Sequence, residues 1–238
     1  MSRLISTMLL AGVLLTSPVA SSQSYDSYPQ RSVFVNDEEN NIICSRPNEE
    51  NKIALTFDDG PHYKLTGEIL DILLEYDIQV TFYVIGVNVE AQPDLVRRMV
   101  KEGHEVANHT YDHRHMSRKS TSEIVTQLKR TEEILAKFDI TPTTFRPPEG
   151  IINERMKAAA REAGYPIILW SLDTRDWLMP SASSIVNYVT NNIKSGDIVL
   201  FHDFITPRSP TPDALREILP LLIDRGFEFV TVEELVAL

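Results

Sequence analysis

Cysteine, basic residues and long apolar runs are scarce in this chain of 238 residues. Cys44 is the only cysteine, so no internal disulfide can form, and its expected role is that of a small buried apolar filler. Lysine and arginine number 23 against 34 aspartates and glutamates, which gives a formal net charge of −11. So acidic a protein is a poor candidate for electrostatic binding to nucleic acid or anionic lipid, and we expect neither partner.

The start of the chain has the pattern of an export signal. Arg3 precedes an apolar run, Met8–Leu15, and Ala20 and Ser22 stand in the −3 and −1 relation that a signal peptidase reads. A cleaved signal peptide is therefore predicted over residues 1–22. The run is shorter than the roughly 20 residues of a stable bilayer span, although an uncleaved anchor is the alternative. We expect an exported protein that is periplasmic, extracellular or associated with the cell wall.

The rest of the chain divides into two parts by composition. Residues 23–51 are polar and acidic and are interpreted as an N-terminal arm, with a short strand predicted at Asn41–Cys44. Strand-like runs then alternate with amphipathic helices over residues 52–238, which predicts one large domain of parallel strands with helices outside them. The predicted strands are Ile53–Phe57, Val80–Ile85, His104–Ala107, Thr143–Arg146, Ile167–Leu172, Ile198–Phe201 and Phe227–Thr231.

Two helix starts are marked by local signals. Ser120 and Glu123 have the spacing of a capping box. Thr211 precedes Pro212, which predicts a threonine N-cap followed by a proline in the first turn.

Seven strand–helix units suit a (β/α) barrel with fewer than eight units, and an open doubly wound sheet is the alternative. Polar residues follow or end five of the predicted strands, namely Asp58 and Asp59, His109, Arg146, Asp173 and His202. Barrel enzymes build their active sites at this carboxyl face from several strands, whereas an open sheet uses one crevice. The distribution favours the barrel.

Two carboxylates and two imidazoles are the most informative of these residues. A carboxylate with two imidazoles is a minimal set for a catalytic divalent metal with open positions, and a second carboxylate beside it is free to act as a base. The spacing of His109 and His113 predicts both imidazoles on one face of a helical turn. The alternatives are a simple turn at Asp58-Asp59-Gly60 and two solvated surface histidines.

Further residues at the same face have a structural and a functional interpretation. Arg146 either closes a rigid turn or holds a carboxylate in its charged form. Trp177 is either core or a wall against which a sugar stacks. Of the remaining histidines, His62 and His115 are interpreted as loop residues and His104 as structural.

Five motifs in this order resemble those of the polysaccharide deacetylases, carbohydrate esterase family 4. The matching segments are Thr56–Pro61, His109–His113, Arg146–Gly150, Asp173–Trp177 and Leu200–His202. Each motif is short, but the ordered set is specific, and the resemblance extends over residues 52–238. It implies a distorted (β/α)7 barrel and metal-dependent removal of N-acetyl groups from a glycan.

The resemblance also implies roles for the first three motifs. By position, Asp59, His109 and His113 would hold one divalent metal, with Zn²⁺ the first expectation and Co²⁺ or another transition ion the alternative. Asp58 would be the general base, and Arg146 would position it.

The last motifs would supply the acid and the substrate pocket. His202 would be the general acid, Asp173 would tune it, and Trp177 and Leu200 would line the acetyl pocket. Glu149 departs from the family pattern, which commonly has an aromatic residue there. Its backbone N–H can still face the developing oxyanion, while its carboxylate favours a cationic or neutral glycan over an acidic one.

Two alternative functions stay open at this stage. The same groups can serve an O-acetyl esterase acting on xylan or a similar polymer. A non-catalytic glycan-binding module is the other alternative, although every ligand, base and acid position is present.

Overall fold

Short strands and longer helices alternate along residues 32–114, 116–204 and 208–237, which the computed structural model describes. The strands are β1 (Ile42–Ile43), β2 (Lys52–Asp58), β3 (Thr81–Val84), β4 (Glu105–Asn108), β5 (Ile167–Ile168), β6 (Leu172–Asp173), β7 (Ile198–His202) and β8 (Glu228–Phe229). The helices are α1 (Leu65–Glu75), α2 (Gly86–Ala91), α3 (Pro93–Lys101), α4 (Thr121–Leu135), α5 (Glu154–Ala163), α6 (Ala182–Asn192), α7 (Thr211–Asp224) and α8 (Val232–Val236). The predicted signal peptide and His115 lie outside the described residues.

The strands pair in parallel around β2. The path runs β4–β3–β2–β7–β6, and β8 pairs with the first residues of β2. Phe145 forms isolated parallel bridges to both Asn108 and Ile167, so it links β4 to β5. β5 and β6 belong to one short chain segment, and the path of paired strands ends at β6. The bridges of Phe145 connect the other end of the path, β4, to this same segment, which closes the ring of strands. The arrangement is the expected distorted (β/α)7 barrel and not an open sheet.

Two predicted strands are less regular than their sequences suggest. The segment around Thr143–Arg146 contributes only the bridges of Phe145, and the run Ile167–Leu172 is divided between β5 and β6. Prolines 142, 147 and 148 flank the first of these, and proline has no N–H to donate to a ladder. The barrel is distorted because the strand pairing is interrupted at these two segments.

Alternation along β2 separates an outer core from the barrel interior. Ile53, Leu55 and Phe57 belong to a cluster shared with the outer helices, and Phe57 stacks on Phe82 of β3 and Phe201 of β7 at 5.3 and 5.5 Å. Ala54 belongs to the second cluster. Because side chains alternate between the faces of a strand, Asp58 shares the inner face with Ala54. The strand therefore ends with a carboxylate inside the barrel mouth.

The described part of the N-terminal arm packs onto the barrel. β1 runs parallel to β5, which confirms the short strand predicted there. The Phe34 ring meets Trp170 edge-on, with centroids 5.1 Å apart. A Cβ on Gly150 would lie 2.8 Å from the Trp170 ring and 3.0 Å from Phe34, so this contact needs a glycine. The domain limits at residues 22 and 51 stay predictions.

One of the two predicted helix caps is confirmed and one is wrong. Ser120 and Glu123 form the full capping box at the start of α4. Thr211 is instead the first residue of α7, and Pro210 holds the cap position without a side-chain bond. The Thr211 hydroxyl donates to Asp176 Oδ2 at 2.7 Å, so a tertiary contact outcompetes the local cap. None of the described helices is long and apolar enough to cross a membrane.

Candidate active site

Asp59, His109 and His113 meet at the carboxyl face of the barrel. Asp59 Oδ1 lies 3.4 Å from His109 Nε2 and 3.3 Å from His113 Nε2, and one ligand-type atom from each residue falls within 4.8 Å of the others. Asp59 follows β2, and the histidines follow β4, two strands away in the pairing order. The barrel thus brings together the three residues whose types predicted a metal centre.

The hydrogen bonding of these residues fits a cation. His109 Nδ1 lies 2.7 Å from the carbonyl oxygen of Arg146. Because a carbonyl only accepts, Nδ1 carries the proton, and Nε2 presents a lone pair towards Asp59. Asp59 Oδ1 is buried without a hydrogen-bond donor. The Asp59 oxygen and the His109 lone pair thus converge without a proton between them, which is an arrangement that a divalent cation satisfies.

Protonation states also suit metal binding. Burial alone would raise the pKa of Asp59, but the imidazoles of His109, His202 and His113 outweigh it and hold that pKa at about 2. Burial and the adjacent His109 lower the pKa of His113 below its ordinary value. At neutral pH the carboxylate is therefore ionised and the His113 imidazole neutral, which are the forms that ligate metals.

The predicted helical turn between the two histidines is wrong. The segment after β4 is a loop in which Thr110 and His113 have positive φ values of 72° and 58°. Asn108 Oδ1 accepts the Thr110 N–H at 2.9 Å, and Thr110 Oγ1 accepts the His113 N–H at 3.2 Å. These side-chain-to-backbone bonds replace the helical ladder. The imidazoles still converge, but through a looped backbone.

Arg146 holds Asp58 from inside the barrel. The guanidinium is fully buried, and its Nη1 donates to Asp58 Oδ1 and to Thr56 Oγ1, both at 2.7 Å. Its Nη2 donates to the carbonyl of Leu169 at 3.1 Å, and the group lies 4.1 Å from the centre of the Tyr83 ring. Asp58 Oδ2 remains 3.9 Å from His109 Nε2. One oxygen of Asp58 is therefore fixed, and the other faces the candidate metal centre.

The carboxylate that hydrogen-bonds His202 is Asp176, whereas the residue expected from the sequence to tune His202 is Asp173. His202 Nδ1 lies 2.8 Å from Asp176 Oδ1, and the His202 backbone N–H donates to Asp176 Oδ2 at 2.8 Å. Asp173 Oδ1 instead accepts the Arg175 N–H at 2.9 Å, and its own pKa is raised by burial. The short helical turn that starts at Asp176 places this second aspartate of the motif beneath the imidazole.

His202 is charged at neutral pH. Burial by itself lowers the pKa of His202, but the Asp176 carboxylate, with further contributions from Asp58 and Asp59, raises it to about 10. The Asp176 contact occupies Nδ1, so Nε2 remains available to transfer a proton. The arrangement gives an acid whose proton is present throughout the neutral range.

A cavity of about 440 Å³ connects these groups. It is lined by Asp58, Asp59, His109, His113, Glu149, Trp170, Asp173, Trp177, Leu200 and His202. All the predicted site residues except Arg146 therefore border the cavity, and Arg146 lies behind Asp58. Trp170 was not predicted, because within an apolar run its sequence signal is that of an ordinary core residue.

Glu149 stands at the rim with an unusual backbone. Its side chain is exposed, and its φ of 57° is left-handed for a residue that is not glycine. The short turn Pro148–Gly150 places Glu149 in the lining of the cavity that also contains the donor set of the candidate metal centre.

A sequence model of the family described as "Polysaccharide deacetylase" matches residues 45–168. The chain is 46% identical over 191 residues to a peptidoglycan-N-acetylglucosamine deacetylase of Bacillus cereus, covering 79% of this chain and 90% of that relative. The chain belongs to the polysaccharide deacetylase family. The resemblance carried by the five motifs is confirmed. Asp176 and His202 lie beyond the residues that the family model matches, so their description here rests on the geometry of the site.

Solved structures agree with this family. A crystal structure of a peptidoglycan N-acetylglucosamine deacetylase, in complex with 4-naphthalen-1-yl-N-oxidanyl-benzamide, superposes with a TM-score of 0.80 and 36% identity, covering 83% of this chain and 94% of that one. A family 4 acetyl xylan esterase from Clostridium thermocellum, in complex with a cobalt ion, has a TM-score of 0.73 and 35% identity, covering 78% of this chain and 90% of that one. The polysaccharide deacetylase described here shares their fold.

Proposed function

We propose that this polysaccharide deacetylase is an exported, metal-dependent hydrolase that removes acetyl groups from N-acetylglucosamine units of a glycan, with peptidoglycan the first substrate to test. The observation that carries the proposal is a single cavity that joins a metal-type donor set, an arginine-held carboxylate and a charged histidine. Similarity to a peptidoglycan-N-acetylglucosamine deacetylase supports the choice of substrate. The apolar segment predicted as a signal peptide supports export.

Hydrolysis of an acetamide makes three demands on the site. The carbonyl is a poor electrophile, water is a poor nucleophile, and the amine leaves only when it is protonated. A divalent cation held by Asp59, His109 and His113, with Zn²⁺ the first expectation and Co²⁺ the alternative, would polarise the carbonyl and lower the pKa of water.

Asp58 is suited to take the proton from the attacking water. Its Oδ1 is held by Arg146, so the carboxylate cannot rotate away, while Oδ2 faces the donor set. A base fixed in one orientation does not have to lose rotational freedom during the reaction. Arg146 is therefore assigned a positioning role.

His202 is suited to protonate the leaving amine. It is charged at neutral pH, and Asp176 fixes its ring so that Nε2 is the group that donates. General acid assistance of this kind contributes about 10²–10⁴-fold to a rate. The backbone N–H of Glu149 is assigned to the developing oxyanion, where one donor contributes about 10²–10³-fold.

The remaining walls of the cavity select the substrate. Leu200 is almost fully buried and Trp177 is half exposed, and together they are assigned to the methyl group of the acetyl moiety. The Glu149 carboxylate adds negative charge at the rim. A neutral or cationic glycan therefore suits this cavity better than an acidic one.

Ester cleavage is the second candidate, because a similar structure is that of an acetyl xylan esterase. The same base and acid would serve an O-acetyl group. A non-catalytic glycan-binding module is less well supported, since the base, the acid and all three metal-type ligands are present in one cavity.

Acetate release measured side by side tests the proposal. The substrates are peptidoglycan, N-acetylchitooligosaccharides and acetylated xylan, each with Zn²⁺-loaded and Co²⁺-loaded protein. Faster release from the N-acetylated glycans, with an equal yield of free amine, is expected. Release from xylan alone would favour the esterase, and release from none of them would contradict catalysis.

A further inference from the structure

Three aromatic side chains are exposed among the described residues, and all three lie at the carboxyl face of the barrel. Tyr63, Trp177 and Phe204 are 67%, 51% and 46% exposed. They occupy the segments that follow β2, β6 and β7, which are neighbours in the pairing order. Exposed aromatic surface gathered beside a cavity marks a binding surface more often than scattered exposure does.

Tyr63 and Phe204 form one surface with His62 between them, here called the aromatic ledge. The His62 ring centroid is 4.5 Å from that of Tyr63 and 5.3 Å from that of Phe204, with the second pair edge-to-face. The mechanism outlined above uses none of the three. Trp177 is separate, because it already lines the cavity.

The ledge is held in place by hydrogen bonds beneath it. His62 Nδ1 accepts the backbone N–H of Leu65, the first residue of α1, at 3.1 Å. The neutral ring therefore carries its proton on Nε2, a donor that a hydroxyl group can use, and burial lowers the pKa of His62. The His62 N–H donates to Thr66 Oγ1 at 2.7 Å, which ties the loop to the helix a second time.

Asp203 joins the two loops that carry the ledge. This fully buried carboxylate accepts the Thr66 hydroxyl at Oδ2, 2.6 Å away. It also packs against Gly60 so closely that a Cβ there would lie 2.0 Å from Oδ2. The segment after β2 is thus locked to Asp203, the residue before Phe204, and the surface that carries His62, Tyr63 and Phe204 is preorganised.

The ledge lies beside the catalytic cavity. Asp58 and His202 are paired in the register of β2 and β7, so both loops leave the barrel from adjacent points. His62 is three residues from Asp59 and Phe204 two residues from His202, which limits their Cα separations to about 11 and 8 Å. The ledge is therefore within reach of a sugar joined to one that occupies the cavity.

We propose that His62, Tyr63 and Phe204 form a sugar-binding subsite that stacks against a pyranose ring next to the acetylated unit. The proposal rests on the proposed function, because it requires a glycan whose reacting unit is in the cavity. The apolar C–H face of a pyranose ring matches an exposed aromatic face, and its hydroxyls match the His62 Nε2 donor. Continuity with the cavity favours the same glycan over an unrelated partner. The subsite would make kcat/KM rise with the length of the oligosaccharide.

Substrate length supplies the test. Deacetylation of N-acetylglucosamine oligomers from the monomer to the pentamer is compared with hydrolysis of 4-nitrophenyl acetate, in the metal-loaded protein. The double variant Tyr63→Ala/Phe204→Ala should lose about 10-fold more kcat/KM on the pentamer than on the aryl ester. Tyr63→Phe/Phe204→Tyr keeps both rings and should retain the length dependence. Leu74→Ala, which removes an exposed apolar side chain on α1, is the matched control.

A binding measurement separates failure of the subsite from failure of the deacetylase assignment. Calorimetry is carried out on proteins that carry Asp58→Asn, with N-acetylglucosamine pentamer and with xylopentaose as ligands. For at least one of these ligands, the protein that also carries Tyr63→Ala/Phe204→Ala should bind about 10-fold more weakly than the protein that keeps both rings. If the parent releases no acetate from any N-acetylated oligomer but this difference is present, the activity assignment fails and the subsite stands. Equal affinities for both oligomers with and without the two rings, at unchanged melting temperature and metal content, would overturn the subsite.

Discussion

His202 Nδ1 lies 2.8 Å from Oδ1 of the fully buried Asp176. The other oxygen of that carboxylate accepts the His202 backbone N–H and the Thr211 hydroxyl, so both oxygens are occupied. The imidazolium is thereby held in one orientation, and the pKa of His202 is raised from an ordinary 6.5 to about 10. Because the folded-state pKa is the higher one, the stability from this pair is fully present below pH 6.5 and is lost as pH rises through about 10.

Replacing Asp176 by asparagine should move the alkaline limb of the kcat/KM profile to lower pH. The neutral amide no longer stabilises the imidazolium, so His202 loses its proton earlier as pH rises. Asp173→Asn is the matched control, since that carboxylate bonds the Arg175 N–H and should give the smaller displacement. A larger displacement with Asp173→Asn than with Asp176→Asn would restore the first expectation that Asp173 tunes the acid.

Replacing His202 by alanine should harm acetamide cleavage far more than aryl acetate cleavage. An amine must be protonated before it leaves, whereas a nitrophenolate leaves unaided. The gap between the two substrates should approach the factor of about 10²–10⁴ that general acid catalysis supplies. Equal losses on both substrates, with unchanged metal content and melting temperature, would exclude the acid role.

The double variant His109→Ala/His113→Ala should lose the divalent cation on dialysis. Two of the three converging ligand atoms are removed, and a single carboxylate does not retain a transition ion. Inductively coupled plasma mass spectrometry should find about one Zn²⁺ or Co²⁺ per chain in the parent and almost none in the variant. Stoichiometric metal in the dialysed variant would contradict the assignment of these ligands.

Replacing Glu149 by glutamine should weaken any preference for glycans that already carry free amino groups. One exposed charge at the rim changes kcat/KM only by a few-fold. The ratio of kcat/KM for partly deacetylated oligomers to kcat/KM for fully acetylated oligomers should therefore fall by about threefold at low salt. Glu162→Gln removes an exposed charge on α5 and is the matched control. An unchanged ratio would show that this carboxylate does not select the substrate.

The barrel and its functional face could be predicted because they depend on local patterns. Apolar strands with polar residues at their carboxyl ends indicate both the barrel and the face of it that carries the site. This pattern predicted that Asp58, Asp59 and His109 lie at that face, and all three line the cavity. The choice between Asp173 and Asp176 could not be made this way. Both aspartates follow one short strand, and only the tertiary contacts with His202 and Thr211 distinguish them.

Other errors have a similar cause. The spacing of His109 and His113 suits a helix, but hydrogen bonds from the side chains of Asn108 and Thr110 fold the segment into a loop. The Thr211 hydroxyl could have capped a helix, but it bonds a distant carboxylate instead. In the first case polar side chains bond the nearby backbone, and in the second a hydroxyl bonds a distant carboxylate. A single sequence does not specify which of the available partners a polar side chain takes.

The most direct test of the central claim is acetate release by the metal-loaded Asp58→Asn variant on N-acetylglucosamine oligomers, measured beside the parent. Asparagine keeps the shape of aspartate but cannot take a proton from water. The account predicts that the parent releases acetate and free amine in equal amounts, and that the variant keeps about one cation per chain while its rate falls by about 10²-fold or more. A variant that turns over at close to the parent rate, or a metal-loaded parent that releases no acetate, would contradict it.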